Sequence, residues 1–140
     1  MTTFRLAAAA AVAGLLVTVG LSAQGAVTAS GGWVTEPAAG ATSTSAYAVV
    51  ENPTMYEVYV VAVTTDAAAS AEIADGPANA ARALRELAVP AYGRAELQPG
   101  GVHIILKELK KPLKAGDSVD LALTTDGGVV IKVTATVKKG

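Results

Sequence analysis

The sequence predicts an all-β protein: one antiparallel sandwich that follows an N-terminal signal peptide. The chain has 140 residues, 51% of them apolar and 16% charged, so it can build the core of a single domain. Short runs rich in Val, Tyr and Thr alternate with Gly, Pro, Asn and Asp turns, which is typical of an antiparallel sandwich. After residue 30, no long segment shows the apolar spacing of a helix.

The first 29 residues have the pattern of a secretory signal peptide. Arg5 is their one charged residue, an apolar run extends from Leu6 to Leu21, and small residues at 23–25 and 27–29 suit cleavage near residue 25 or 29. A membrane anchor is the alternative, but the run is near the lower length limit for spanning a bilayer. Because the chain has no Cys, it cannot carry the lipid of a lipoprotein. The sequence therefore predicts a secreted, extracytoplasmic domain over 30–140, without stable membrane insertion after cleavage.

Six to eight short strands are expected in this domain. The runs with strand composition are, in chain order, 45–52, 56–65, 70–74, 85–92, 93–101, 102–106, 115–125 and 129–139. Asn52-Pro53 and Asp126-Gly127-Gly128 are among the turn signals that separate them. Pro90 interrupts the fourth run, which therefore suits a sheet edge or a strand end. The segment 77–87, with its initial Pro and several Ala, is compatible with a short helix as well as with a strand.

Charge is distributed unevenly along the chain. The net charge of −1 argues against nucleic acid as a partner, because that role needs a basic surface. The part from Ser30 to Leu106 has three Arg and eight acidic residues, whereas the part from Lys107 onward has seven Lys and four acidic residues. Four of these lysines are close in sequence: Lys107, Lys110, Lys111 and Lys114. They could dock an acidic partner or an anionic membrane, or form a solvated hairpin that discourages edge-to-edge pairing.

The residues argue against an enzyme. His103 is the only His, and the chain has no Cys. A serine nucleophile would need this imidazole as its base, but His103 is flanked by Val102, Ile104 and Ile105, without a nucleophile elbow. Gly127-Gly128 is expected to be a turn, because it does not lie between a strand and a helix as a phosphate-binding loop does. The sequence therefore predicts a protein without catalytic residues.

Two stretches resemble the periplasmic copper chaperone family known as PCu(A)C. The first is GGWVTEPAAGATSTSAYAVVENP, and the second is VPAYGRAELQPGGVHIILKELKKPLKAGDSVDLALT. The residues that match the family pattern are Trp33, Pro37, Gly40, Ala46, Tyr47, Glu51, Asn52, Pro53, Pro90, Gly93, Leu97, Pro99, Gly100, Gly101, His103, Leu106, Leu109, Pro112, Leu113, Gly116 and Asp117. The resemblance covers nearly the whole mature chain. It implies a Greek-key sandwich of cupredoxin- or immunoglobulin-like appearance, and partners in copper handling or oxidase assembly.

The resemblance also implies copper as the one metal, bound as Cu(I) by Met and His side chains, because thioether sulfur suits a soft monovalent ion. Of the expected ligands, only His103 is present. The other ligand positions of the family fall on Ala74, Gly76, Ala81 and Ile105. Met55 is the only Met after the signal peptide, and it follows the Asn52-Pro53 turn, away from those positions.

His103 therefore has two interpretations. As a metal ligand it would be the one remaining ligand of the family's site. Glu72, Asp75 or a freed terminal amine could join it in a weak Cu(II) or Zn(II) site. As a structural residue it would pack on apolar neighbours, with one ring nitrogen bonded to a backbone carbonyl. The expected function is a secreted copper chaperone-like protein with weak or lost Cu(I) binding. The alternative is a copper-free sandwich that binds another protein of the cell envelope.

Overall fold

The computed structural model describes residues 26–77 and 80–139, and it is all-β over these residues. The strands are β1 (Thr28–Thr35), β2 (Ser43–Asn52), β3 (Val58–Thr65), β4 (Ala68–Asp75), β5 (Arg82–Leu84), β6 (Leu87–Val89), β7 (Gly93–Glu96), β8 (Val102–Leu109), β9 (Ser118–Thr125) and β10 (Val130–Lys138). The apolar run of the predicted signal peptide lies outside the described residues. None of the described residues forms a helix with the length and hydropathy needed to span a membrane.

The ten strands form one hydrogen-bonded sheet that folds back on itself. Its order is β5-β4-β8-β2-β1-β10-β9-β3-β6, and β7 pairs with the end of β2. β3 and β4 lie far apart in this order, yet they pack against each other, so the sheet is nearly closed. Sequence neighbours are often not sheet neighbours, as in a Greek key. The predicted all-β Greek-key sandwich is confirmed, with one parallel pair, β1 and β10, among antiparallel ones.

The core follows from the two-residue alternation of the strands. Along β10 the side chains of Ile131, Val133, Ala135 and Val137 are buried, and the residues between them face outward. On β8, Ile104 and Leu106 enter the same core. Burying each such aliphatic side chain fully contributes about 1.5–3 kcal/mol, so the alternation selects the register of every long strand.

β1 is the strand that residue composition did not predict. It contains Gly31 and Gly32, and its register with β2 shifts between Ser30 and Trp33. Gly31 has φ +62°, and a Cβ on Gly32 would lie 3.2 Å from Cγ2 of Val133. The bulge therefore lets β1 approach β10 closely. Trp33 and Val34 then pair with both β2 and β10, and Thr35 pairs with Lys138 of β10.

The segment 77–87 contains strands rather than a helix in its described part. The amide of Ala80 donates to the carbonyl of Pro77 in a turn (2.9 Å), and β5 then pairs with β4 through Arg82 and Asp75. β6 pairs with β3 and ends directly before Pro90, as the position of that proline predicted. β5 and β6 are the edges of the sheet, and three-residue edge strands offer little template for pairing with another chain.

A candidate metal site around His103

His103 is the second residue of β8 and is only 2% exposed. Its strand neighbours alternate, so Ile104 enters the core while His103 and Ile105 lie on the other face. β4 runs beside it, with Ala74 directly opposite His103. On the β2 side, the ring centroid of Tyr47 is 6.2 Å from that of the imidazole. The histidine is thus enclosed by two neighbouring strands.

The two imidazole nitrogens of His103 have different surroundings. Nδ1 lies 2.9 Å from the carbonyl oxygen of Gly101, and a carbonyl oxygen only accepts, so Nδ1 carries the proton and donates. The same carbonyl accepts the amide of Gly76 (3.1 Å). Nε2 is buried and has no hydrogen-bond partner among the described residues. In the neutral ring, its lone pair is therefore free to bind a ligand.

Aromatic packing extends from His103 across two more strands. The rings of Trp33 on β1 and Tyr47 on β2 have centroids 4.4 Å apart, at an interplanar angle of 31°. The ammonium of Lys138 lies 5.8 Å from the Trp33 ring centroid, within the range of a cation–π interaction. In the sequence, Trp33 and Tyr47 stand out only as matches to the PCu(A)C pattern. Their contact depends on strand register, which the residue pattern did not supply.

The structure brings the family's ligand positions together at His103. Ala74 lies opposite it, and Ile105 is the next residue on the same face of β8. Gly76 is tied to Gly101 by its amide, and a Cβ on Gly76 would lie 3.7 Å from the Cα of Ala81. Two of these positions therefore lie beside the imidazole, and the other two lie at the turn that the Gly101 carbonyl joins to it. None of these side chains carries a donor atom, so the residues present do not fit a Met/His Cu(I) site.

Carboxylates do not complete the site either. Glu72 forms an ion pair with Lys107 (2.7 Å). Asp75 pairs with Val102, and the alternation of β4 directs its side chain to the face opposite that of Ala74. Met55 is 61% exposed in the loop after β2. Across residues 26–77 and 80–139, no group of three or more His, Asp or Glu side chains could hold a metal ion.

The lysines of the β8–β9 region form no sheet edge. Lys107 is on β8, and Lys110, Lys111 and Lys114 lie exposed in the loop after it. This loop and residues 36–42 line an open groove. β8 and β9 are interior strands, and the edges of the sheet are β5 and β6. These lysines therefore do not protect a sheet edge from pairing with another chain.

Comparison with known proteins agrees with this fold. A family described as putative lipoprotein LpqE-like matches residues 27–137. The chain belongs to the LpqE-like family. A curated relative of this LpqE-like protein is the putative lipoprotein Lxx21020 of Leifsonia xyli subsp. xyli (strain CTCB07). It is 35% identical over 126 residues, which cover 86% of this chain and 74% of the relative.

Solved structures similar to this LpqE-like protein are PCuAC domains and a Cu(I)-bound protein. The CuI-DR1885 structure from Deinococcus radiodurans is 31% identical, with a TM-score of 0.69 over 85% of this chain and 83% of that one. The apo PCuAC domain from PmoF1 is 25% identical, with a TM-score of 0.73 over 84% and 97%. The copper-bound PCuAC domain from PmoF2 shares the fold (TM-score 0.72, covering 84% and 96%) at 20% identity. The PCuAC resemblance found in the sequence is confirmed.

Proposed function

We propose that this LpqE-like protein is an extracytoplasmic, copper chaperone-like protein that binds Cu(I) weakly or no longer binds it. The observation that supports this proposal is the side-chain chemistry around His103. Nε2 offers one nitrogen lone pair, and the converging positions Ala74, Gly76, Ala81 and Ile105 offer no donor. A soft ion that prefers sulfur and imidazole ligands gains little from one imidazole. Copper would be cargo here, and we expect no catalytic step.

The extracytoplasmic location is proposed on two grounds. The first 29 residues have the pattern of a signal peptide, and both the family and its Leifsonia relative are described as putative lipoproteins. This chain has no Cys, so we expect that it is exported and then released without a lipid. Proteins of the cell envelope are accordingly its expected partners.

A Cu(I) titration against a competing chelator tests the copper proposal. We expect the exported protein and its His103→Ala variant to compete equally poorly. A rebuilt variant, Ala74→His with Ala81→Met and Ile105→Met, should gain Cu(I) binding, because it restores donors at positions that already converge. The same three substitutions in the His103→Ala background are the matched control and should bind more weakly.

Tight Cu(I) binding by the unmodified protein would contradict the proposal. If the unmodified protein held one equivalent of Cu(I) tightly, and His103→Ala abolished that binding, the proposed loss of the site would be wrong. Circular dichroism of each variant would show whether the sandwich is intact. Ile105→Leu, a substitution of similar volume without a donor, separates the effect of sulfur from the effect of repacking.

The second candidate function is a copper-free module that binds another envelope protein. One observation favours it: large apolar side chains are strongly exposed at the end of the sandwich where β2 ends. Such a surface would let the domain bind a partner protein without any metal ligands. A pull-down from a cell-envelope extract, repeated with Tyr56→Ala, tests it. Equal recovery of a partner by both proteins would exclude this end of the molecule as the binding surface.

A further inference from the structure

Two loops at one end of the sandwich display three large side chains to solvent. Met55 and Tyr56 lie in the loop between β2 and β3, and Tyr92 lies in the loop between β6 and β7. Their exposed fractions are 61%, 71% and 73%, the highest among the large hydrophobic residues that the structure describes. We call these three residues the tyrosine tip. Exposed Tyr and Met are enriched in protein–protein interfaces, but exposure alone does not make a binding surface.

A buried asparagine holds the two loops together. Asn52 is 1% exposed, and its Nδ2 donates toward the carbonyl of Tyr56 (2.8 Å) and, across the gap, toward those of Val89 and Pro90 (3.2 Å each). Its Oδ1 accepts from the amide of Thr54 (3.0 Å) and from the Thr54 hydroxyl (2.6 Å). Because both loops are fixed to one side chain, the tip is preorganised, and a partner would lose little of its binding free energy in ordering it.

Tyr92 adopts a backbone conformation that its side chain disfavours. Its φ is +55°, in the left-handed region that glycine adopts easily and bulky residues adopt rarely. The amide of Tyr92 donates to the carbonyl of Thr54 (3.0 Å), which holds the strained conformation. Because its ring is exposed, Tyr92 contributes little packing energy to the stability of the fold. Strain that does not serve packing is concentrated at functional sites, so the aromatic ring is the feature that needs an explanation.

A depression beside Tyr92 shows what the ring could bind. It is lined by Thr28, Glu51, Asn52, Pro53, Tyr92 and Gly93. Pro53 and Tyr92 give it apolar walls, and the exposed Glu51 gives it a carboxylate. Arg94 lies opposite Glu51 in the sheet, but its guanidinium pairs with Glu96 (3.5 Å). Within residues 26–77 and 80–139, Glu51 forms no ion pair.

Three acidic side chains lie close enough to Tyr59, the second residue of β3, to act on its hydroxyl. The hydroxyl of Tyr59 donates to the carboxylate of Glu57, and this bond, with the negative charge of Glu57, raises the pKa of Tyr59. Glu86 and Asp126 raise it further through their charges. Glu51 and Glu57 would attract a cationic group that approaches the tip, while Arg94, which lies opposite Glu51, is paired with Glu96.

We propose that the tyrosine tip and the depression beside it bind a Lys or Arg side chain within an apolar segment of a partner protein. The methylenes of that side chain would pack on Pro53 and on the Tyr92 ring, as long cationic side chains do on apolar surfaces. Its charge would meet the Glu51 carboxylate and the face of the ring. This inference deepens the second candidate function, and it requires no copper.

A titration of the isotope-labelled, exported protein with short peptides tests the proposal by NMR. The probes are acetyl-Ile-Lys-Leu-amide and, as the matched control, acetyl-Ile-Glu-Leu-amide. We expect the Lys peptide to shift the amides of Glu51, Asn52 and Gly93 saturably, and the Glu peptide to leave them unchanged. Glu51→Gln should weaken binding up to about fivefold, the range of an exposed ion pair. Val61→Ala, which removes an exposed side chain of β3, should leave the affinity unchanged.

Tyr92→Gly separates binding from folding. Glycine adopts φ +55° without strain, so we expect this variant to unfold at the same or a higher temperature and yet to bind the Lys peptide at least about fivefold more weakly. A lower unfolding temperature would mean that Tyr92 serves the fold, and unchanged peptide binding would mean that its ring is not part of the site. Either result overturns the proposal.

Two further outcomes also count against it. Equal shifts with both peptides, or none up to millimolar concentration, would exclude recognition of a cationic side chain. Saturable shifts of the tip with maltohexaose, in the absence of any with the Lys peptide, would assign the surface to a glycan instead. These experiments contain no copper, so their failure leaves the proposal on Cu(I) binding to be judged by its own titration.

Discussion

Replacement of His103 by leucine should leave the protein as stable or make it more stable. Nε2 is buried without a partner among the described residues, and an unsatisfied buried polar atom costs about 1–3 kcal/mol. The substitution removes that cost and also the Nδ1 bond to the carbonyl of Gly101, whose net contribution is about 0.5–1.5 kcal/mol. The carbonyl keeps the amide of Gly76 as a donor, so it is not left unpaired.

The difference of these two contributions is a stabilisation of about 1 kcal/mol. For a domain of this size, that corresponds to a rise in unfolding temperature of about 4 °C. His103→Ala is the control: it removes the same polar atoms but leaves a cavity, so it should be about 2 kcal/mol or more less stable than His103→Leu. Thermal and urea unfolding followed by circular dichroism measure both variants.

A loss of stability larger than about 1 kcal/mol in His103→Leu would contradict this reasoning, because it would mean that Nε2 has a partner on which the fold depends. Addition of Cu(I) gives a second check. A metal present at a hundredfold its dissociation constant would stabilise the unmodified protein by about 2.7 kcal/mol. We expect no such shift, and a shift that His103→Leu abolishes would show that the site binds copper.

Three other predictions concern the loops and the N-terminus. Asn52→Ala should lower the free energy of unfolding by about 2–4 kcal/mol, because it removes hydrogen bonds to both loops from a buried side chain. Gln98→Ala is the control: its exposed side chain bonds Glu96, and the substitution should change the free energy of unfolding by less than about 0.5 kcal/mol in the same urea experiment. Tyr92→Gly should leave the free energy of unfolding unchanged or raise it by up to about 1 kcal/mol, because relief of backbone strain is partly offset by the greater freedom of glycine in the unfolded chain; a decrease would contradict that explanation. Mass spectrometry of the exported protein should place the cleavage near residue 25, because β1 begins at Thr28 and cleavage near residue 29 would remove its first two residues.

Most of the strands could be predicted from the sequence because their alternation is local. The runs 45–52 and 129–139 correspond closely to β2 and β10. β1 could not be found this way, since Gly31-Gly32 interrupts its pattern, and its pairing with β10 joins segments about a hundred residues apart in the chain. For the same reason, the sequence did not decide whether the segment 77–87 forms a helix or a strand. Its edge strands are determined by pairing with β3 and β4, and local propensity did not decide between helix and strand.

The candidate site, too, could be predicted from the sequence only in part. Which donor atoms exist is a property of the side chains alone, so one His, one Met after residue 29 and the absence of Cys already indicated that a Met/His copper site could not be complete. The tertiary structure decided which imidazole nitrogen is free, that Ala74 and Ile105 lie beside the imidazole, and that Tyr56 and Tyr92 belong to loops held together at one exposed tip. These features arise from strand register and from contacts between distant loops. Composition determines the available chemistry, whereas only packing determines which groups face each other.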